Sequence, residues 1–295
     1  MEPEQKKFRR ETWIIGILIT ASFQPGFLQR GFAQTEPSGT PGPAVPAKPI
    51  LGNDGTPMMV PYRCTDEDIR LAGLSCAEDA PCPIFLEISS VEALGSQVLL
   101  TGNIHSEAVT LYSVLLASED NGHTWQEPFD RIRGAGLDHI EYLGTESAWI
   151  SGQELVPLPQ NPFLISTTDG GKTWHLHEVL GEDSDLKFGT IPQFFFTTGN
   201  NGTLIVDHGA GAGGDRYALY ETQNGGDTWT LKQASSKPIV VKRPTAPPAS
   251  DWRVRTDASM KSFVVEHRVG ARWSAVAAFL VHLDPCRPPD PPKIP

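Results

Sequence analysis

The chain has 295 residues, enough for one large domain or two small ones. Its formal net charge is -11, with 35 acidic against 24 basic side chains, which argues against a nucleic-acid partner. Glycine (28) and proline (26) are both abundant, as expected for many short strands joined by turns.

The amino terminus is typical of an export signal. Basic residues fill most of positions 6–10, an apolar run follows at 13–23, and Gly31-Phe32-Ala33 offers small residues at the cleavage spacing. We predict a signal peptide over residues 1–33 and a periplasmic or extracellular protein. The alternative is an uncleaved membrane anchor, because basic residues ahead of an apolar run stay on the cytoplasmic side.

The segment after the signal is predicted to be a tether. Residues 34–61 are rich in Pro, Gly, Ala and Thr and cannot bury enough apolar surface to order themselves. A short helix is predicted over 66–74, with Thr65 as its cap and acidic residues in its first turn. We assign a folded domain to residues 62–284 and a Pro-rich tail to 285–295.

Four cysteines suit an oxidising compartment, and we predict disulfides among Cys64, Cys76, Cys82 and Cys286. Four cysteines allow three pairings. We favour a bond from Cys286 to one of the other three, since an array whose ends meet benefits from such a link. No CxxC occurs and no histidine accompanies the cluster, so we predict no metal site.

Three octapeptides organise the rest of the chain. Each has the pattern hydroxyl residue, any, Asp or Asn, any, Gly, any, Thr, Trp. Their patterned residues are Ser118, Asp120, Gly122, Thr124 and Trp125, then Thr167, Asp169, Gly171, Thr173 and Trp174, then Thr222, Asn224, Gly226, Thr228 and Trp229. A degenerate fourth copy over 266–273 keeps only Gly270 and Trp273 of the pattern.

The residue types of the octapeptide predict a hairpin turn. A carboxylate or amide oxygen accepts backbone N–H groups that have no ladder partner. The glycine supplies a positive φ, and the threonine begins the outgoing strand. The tryptophan then buries a ring large enough to hold one sheet against the next.

The octapeptides mark repeated units of about fifty residues. The tryptophans stand at 125, 174 and 229, and an apolar strand ending in glycine precedes each octapeptide, at Gly102, Gly152 and Gly209. Four short strands in such a unit make one propeller blade. The predicted strands are 84–94, 97–103, 110–117 and 123–129; then 139–143, 148–152, 163–167 and 173–179; then 193–198, 203–207, 217–222 and 228–233; and finally 253–256, 261–268 and 273–282.

We therefore predict an all-β fold, a small β-propeller of about four four-stranded blades. A fifth blade built partly from residues 62–82, or an incomplete ring, is the alternative. The last unit is predicted to be reduced, as terminal members of repeat arrays often are.

The octapeptide resembles the Asp-box (BNR) repeat of sialidases, sortilin-type receptors and photosystem II assembly factors. The resemblance implies a β-propeller in which the box is structural and lies away from any active site. Sialidases place a Phe/Tyr-Arg-Ile-Pro motif ahead of the first box, and this chain has none. Residues 129–133 are faintly similar, but they follow the first octapeptide and lack the proline.

The densest polar cluster lies between the first two predicted units and is our candidate ligand site. Its members are Arg131, Arg133, Asp138, His139 and Glu141. A solvated loop between blades is the competing interpretation. On or near predicted innermost strands, Glu87, Asp138 and Glu141 are the carboxylates that could face a central channel.

Two histidines, His175 and His177, are predicted to share one face of a strand. A metal site would need a third ligand that the sequence does not reveal, so a solvated outer strand is the favoured interpretation.

We predict an exported, monomeric, non-catalytic scaffold that binds a protein or glycan, without catalytic residues, cofactor or metal. One alternative is a divergent sialidase-like glycoside hydrolase acting on exposed glycans. The other is a structural envelope protein tethered by an uncleaved amino terminus.

Overall fold

The computed structural model describes residues 50–156, 158–181, 187–211, 214–244 and 250–288. The predicted signal peptide and most of the predicted linker and tail lie outside these residues. Within the described ranges the chain forms antiparallel sheets and one short helix.

The segment before the first sheet is part of the fold. Strand β1 is Leu51–Gly52, and helix α1 is Asp66–Ala72 with Thr65 as its cap, which confirms the predicted helix. Val60 is fully buried, and Met58 forms a bridge with Phe279. Residues 50–61 therefore differ from the predicted tether, because pairing with distant strands supplies the burial that their own composition lacks.

The first sheet contains β2 (Cys82–Leu94), β3 (Gln97–Ser106) and β4 (Thr110–Ser118) in that order. Strand β5 is only Thr124–Trp125 and pairs with β1. It meets β4 through a single bridge, between Ala117 and Gln126. The predicted fourth strand of this blade is thus shorter than expected.

The second and third sheets have the predicted four strands in chain order. The second contains β6 (Ala135–Leu143), β7 (Ser147–Glu154), β8 (Gln160–Thr167) and β9 (His175–Glu178). The third contains β10 (Thr190–Phe196), β11 (Gly202–Asp207), β12 (Tyr217–Thr222) and β13 (Thr230–Ser235).

The fourth sheet is the reduced unit. It contains β14 (Trp252–Asp257), β15 (Ser262–Val269) and β16 (Arg272–Leu280), and β17 (His282–Cys286) follows directly. Strand β17 leaves the fourth sheet and pairs with β2 of the first. The folded region thus passes the predicted boundary at 284, and its last strand links the fourth sheet to the first.

Hydrophobic clusters join neighbouring sheets in the order fourth, first, second, third. The first cluster includes Leu100 and Phe279, and the second includes Leu99 and Ile150. Leu99 and Leu100 face opposite ways because successive residues of a strand alternate between faces. The third cluster, around Trp149 and Phe196, joins the second sheet to the third.

The order of the sheets defines an all-β fold of the small β-propeller type. The chain has four such sheets within the described residues, and residues 62–81 carry α1 rather than the strands of a fifth blade. No cluster of buried residues in the described ranges joins the third sheet to the fourth. Residues 236–244 and 250–251, which we call the strap, belong to the connection between the third and fourth sheets.

Two disulfides fasten the amino-terminal segment. Cys64 bonds to Cys286 and Cys76 to Cys82, which confirms the preference for a bond from Cys286 to the first cysteines. The two bonds close loops of very different size, with sequence separations of 222 and 6 residues.

Removing the long-range disulfide is expected to destabilise the protein much more than removing the local one. In the chain-entropy model the larger loop contributes about 5 kcal/mol and the smaller about 2 kcal/mol. Urea unfolding of the Cys64→Ala/Cys286→Ala and Cys76→Ala/Cys82→Ala variants measures the difference. Equal losses for the two pairs would contradict this account.

Candidate functional site

The three octapeptides form turns built from the same hydrogen bonds. Asp120 Oδ1 accepts from the Thr124 N–H at 2.8 Å, and its Oδ2 accepts from the Thr124 hydroxyl at 2.7 Å. Asp169 makes the matching bonds to Thr173 at 2.9 and 2.6 Å. These bonds lower the pKa of each aspartate to about 2. The largest effect comes from the Thr124 N–H in the first turn and from the Thr173 hydroxyl in the second.

The third turn replaces the carboxylate by an amide. Asn224 Oδ1 accepts from the Thr228 N–H at 3.0 Å, while its Nδ2 donates to the Thr228 hydroxyl at 3.0 Å. The threonine hydroxyl therefore accepts here, whereas it donates in the other two turns. The third turn keeps the geometry without a charge.

The remaining patterned residues complete each turn. The first hydroxyl accepts from the glycine N–H, as in Gly122 to Ser118 Oγ at 2.8 Å and Gly171 to Thr167 Oγ1 at 2.9 Å. Gly226 makes the same bond to Thr222 at 3.1 Å and has φ 109°. The glycine is needed because a side chain opposes such a φ.

Each turn lies against the sheet that precedes its own. Gln97 Nε2 in the first sheet donates to Gly170 O of the second turn at 2.7 Å. Trp149 Nε1 in the second sheet donates to Gly225 O of the third turn at 2.9 Å. A Cβ at Gly122 would come within 2.5 Å of Val276 in the fourth sheet, so the first turn contacts that sheet closely.

The degenerate fourth copy at 266–273 does not form a turn equivalent to those of the three octapeptides. It lies in the hairpin between β15 and β16, which are the second and third strands of their sheet. The three octapeptides instead follow β4, β8 and β12, each of which is the third strand of its unit in chain order. Glu266 is ion-paired with Arg253 and Arg255 on that sheet.

The candidate ligand cluster is divided between two places. Arg131 donates to Glu127 and to Pro61 O, and Arg133 pairs with the buried Asp68 at 2.5 Å. Asp68 also accepts from the Tyr112 hydroxyl and the Thr65 N–H. The two arginines thus hold the segment around α1 against the first sheet.

The other three members of the cluster lie on β6. Asp138 is half-buried, and burial and nearby Glu87 raise its pKa despite a hydrogen bond from Gln153. His139 and Glu141 line a central cavity of about 500 Å³. The cavity lies between the ends of β2, β6 and β10, which are the first strands of their units in chain order, and Arg243, Pro244 and Ser250 of the strap line it.

The strap supplies the cation of this cavity. Arg243 donates through Nη1 to Glu141 Oε1 and through Nη2 to Glu141 Oε2, each at 2.6 Å. Its guanidinium carbon also lies 5.9 Å from the centre of the Phe195 ring. Burial acts to raise the pKa of Glu141, but the bonds from His139 and Arg243 outweigh it, and the pKa lies below its ordinary value.

A second carboxyl group, Glu92, lines the same cavity. Ser250 of the strap lines the cavity as well. Burial and the charge of Glu141 raise the pKa of Glu92, opposed by His139 and Ser250. In the described part of the chain no lysine or arginine pairs with it.

Glu92, Arg243 and Phe195 line the cavity but were not predicted as site residues from the sequence. A signal for the first was present, because Val91-Glu92-Ala93-Leu94-Gly95 and Ile140-Glu141-Tyr142-Leu143-Gly144 share one pattern. Both glutamates stand two residues before the last residue of the first strand of a blade. No local pattern marks Arg243, which lies 102 residues from Glu141.

His175 and His177 both lie on β9, and burial of His177 together with the charge of His175 lowers the pKa of His177. The His177 Nε2 lies 2.7 Å from Ser166 Oγ and its Nδ1 lies 3.1 Å from Asp227. This order of atoms matches a Ser-His-Asp triad. However, Ser166 is only 5% exposed and does not line the central cavity, so this chain of bonds ties the third turn to the second sheet.

Within the described ranges, no group of three or more His, Cys, Asp or Glu side chains is arranged to hold a metal ion. Among the same residues, no helix has the length and apolar character needed to cross a membrane.

The comparisons with known proteins found structural similarity only. No family model matches the chain, and no curated protein matches it. Similar solved structures include YCF48 bound to D1 peptide, with TM-score 0.36 and 18% identity over 66% of this chain and 56% of that one. The GH74 xyloglucanase from Xanthomonas campestris has TM-score 0.35 and 15% identity over 47% of this chain and 19% of that one.

The arabinanase of Penicillium chrysogenum, complexed with arabinobiose, has TM-score 0.31 and 13% identity over 68% of this chain and 62% of that one. All three are β-propellers. The chain spans about a fifth of the xyloglucanase and less than two thirds of the other two proteins. At these identities and TM-scores, the similarity does not assign a function.

Replacing Trp125 by alanine is expected to destabilise the protein by about 3–5 kcal/mol, because a fully buried ring is lost. Trp125 is 0% exposed, packs edge-on against Phe279 at 5.4 Å and joins the fourth sheet to the first. Urea unfolding measures the loss. Leu231→Ala, at a side chain that is 53% exposed, is the control and should change little. A loss below about 1 kcal/mol for Trp125→Ala would contradict the role assigned to this ring.

Replacing Arg243 by methionine is expected to cost about 3 kcal/mol at neutral pH, because Glu141 is left buried without its counter-ion. The folded-state pKa of Glu141 is depressed, so the stabilisation is present above its unfolded pKa and is lost as the pH falls. The loss caused by Arg243→Met should therefore shrink in acid. Urea unfolding at neutral and acidic pH measures both effects.

Arg216→Met is the matched control for this variant. It removes an arginine from an exposed pair with Asp207, and such pairs contribute at most about 1 kcal/mol. Equal losses for the two arginine variants would contradict the role of the strap pair.

Proposed function

We propose that this protein is an exported, non-catalytic Asp-box β-propeller that acts as a binding or assembly scaffold, with the central cavity as its ligand site. The octapeptide turns support the Asp-box assignment, because their residues hold adjacent sheets together and line no part of the cavity. The two disulfides support export, since such bonds form in oxidising compartments.

The non-catalytic assignment rests on one observation, the ion pair between the Glu141 carboxylate and Arg243. Both carboxylate oxygens of Glu141 accept from Arg243, and this ion pair lowers the basicity and nucleophilicity of the carboxylate. Arg243 would have to leave Glu141 before it could hold the carboxylate of an acidic sugar. Without a free arginine in the described lining, the cavity lacks the group that a sialidase needs for its substrate.

The proposed partner is a protein or a glycan, bound by a monomeric scaffold. An anionic polymer such as nucleic acid is disfavoured, because the chain carries a net charge of -11 and the cavity holds two carboxyl groups. A signal peptide over residues 1–33, or an uncleaved anchor in its place, remains part of the proposal. The mass of the mature protein distinguishes the two.

A glycoside hydrolase is the second candidate. Glu92 and Glu141 line one cavity, and their pKa values are shifted in opposite directions, as in a glycosidase acid and its partner carboxylate. This candidate requires Arg243 to leave Glu141 when the substrate binds.

Two measurements test the proposed function. Wild-type protein should not hydrolyse a panel of chromogenic sialosides, xylosides, glucosides and arabinosides, and turnover that is abolished by Glu92→Gln would establish the second candidate instead. For binding, immobilised wild-type protein should retain a partner from the periplasmic or extracellular fraction of its source. Thr197→Trp, which places a large ring on the cavity lining, should lose that partner, whereas the control Leu231→Ala should retain it. Retention that is unaffected by Thr197→Trp would move the ligand site away from the cavity.

A further inference from the structure

We propose that the central cavity selects ligands that carry an ammonium or guanidinium group, and that Glu92 is the residue that pairs with this cation. The inference rests on the proposed function, since it names the chemistry of the ligand that the scaffold binds there.

Glu92 and Glu141 are equivalent residues of two neighbouring blades. Glu92 and Glu141 occupy the same position in the first strands of successive blades, within the shared pattern that ends Leu-Gly. The third blade places Phe194 at this position, two residues before the end of β10. The cavity therefore has two equivalent carboxyl groups on neighbouring blades.

The pairing of Glu141 shows which chemical group binds a carboxylate at this position. The strap places the guanidinium of Arg243 on Glu141 with two bonds of 2.6 Å. The same guanidinium lies 5.9 Å from the centre of the Phe195 ring, within the range of a cation–π contact. A cation is thus already bound at one of the two equivalent positions.

Glu92 has no such cation among the described residues. Within the described ranges Glu92 forms no salt bridge with a basic side chain, whereas Glu141 is paired with Arg243. His139 and Glu141 act electrostatically on Glu92, and the charge of Arg243 is already neutralised by Glu141. With His139 neutral, the cavity therefore carries one uncompensated negative charge whenever Glu92 is ionised.

The lining completes the match to an organic cation. Tyr142, Phe195 and Phe196 contribute aromatic surface beside the two carboxyl groups, and the cavity of about 500 Å³ has room for a side chain. Aromatic rings accept the methylene groups of lysine or arginine and stabilise a nearby cation. A lysine or arginine side chain of a partner protein, or an amino sugar, carries this chemistry.

The test compares two peptides that differ only in charge. Acetyl-Ala-Lys-Ala-amide and acetyl-Ala-norleucine-Ala-amide are titrated into the full protein by isothermal calorimetry. The lysine peptide should bind at least about tenfold more tightly, as expected for a hydrogen bond between charged groups. Glucosamine and glucose form a second matched pair, which distinguishes a glycan source of the cation from a protein source.

Glu92→Gln should abolish the preference for lysine over norleucine. Glu146→Gln is the matched control, because it removes the same charge from an exposed residue that does not line the cavity. Circular dichroism of each variant verifies that it is folded. Binding of the lysine peptide should also strengthen as the pH rises through the pKa of Glu92, since only the ionised carboxyl pairs with the cation, and Glu92→Gln should remove this dependence.

The outcomes separate this inference from the proposed function. Equal affinity for the two members of each pair, or a lysine preference that survives Glu92→Gln, overturns the cation assignment. If Thr197→Trp still releases a natural partner in that case, the scaffold role stands. Hydrolysis of a glycoside that requires Glu92 would overturn the scaffold role, whatever the result for lysine.

Discussion

The structure depends on the contact between each octapeptide turn and the sheet before it. The turn is rigid because its aspartate or asparagine and its first hydroxyl satisfy the backbone N–H groups of the hairpin. A rigid turn can offer its own carbonyl to the neighbouring sheet, as Gly170 does to Gln97 and Gly225 to Trp149. Adjacent sheets are therefore held together by these turns as well as by the hydrophobic clusters between their faces.

This arrangement leaves the centre of the molecule available for a ligand. The strands β2, β6 and β10 end around a cavity, and Glu92 and Glu141 near two of these ends line it. On the side of the third and fourth sheets, Val241 O of the strap accepts from Gln193, and Arg243 of the strap pairs with Glu141. One ion pair between Arg243 and Glu141 both fastens the strap and neutralises half of the acidic charge of the cavity.

The fold was largely predictable from the sequence, whereas the site was predictable only in part. The octapeptides carry their own turn geometry, so local residue types were sufficient to predict hairpins, strand order and the reduced last unit. Glu141 and His139 were found because they are close together in sequence. Arg131 and Arg133 were grouped with them for the same reason, although β6 begins between the two sets and leads away from the segment around α1.

The sequence by itself determined the repeated hairpins, the helix after Thr65 and a long-range bond from Cys286, because each follows from local chemistry or from the spacing of a repeat. Only the tertiary structure decided that residues 50–61 belong to the fold, that β17 joins the first sheet, and that Arg243 neutralises Glu141. These features depend on pairs separated by more than a hundred residues along the chain, such as Met58 with Phe279 and Glu141 with Arg243. No local pattern encodes which of many acidic and basic side chains will meet, since that is decided by how the sheets pack.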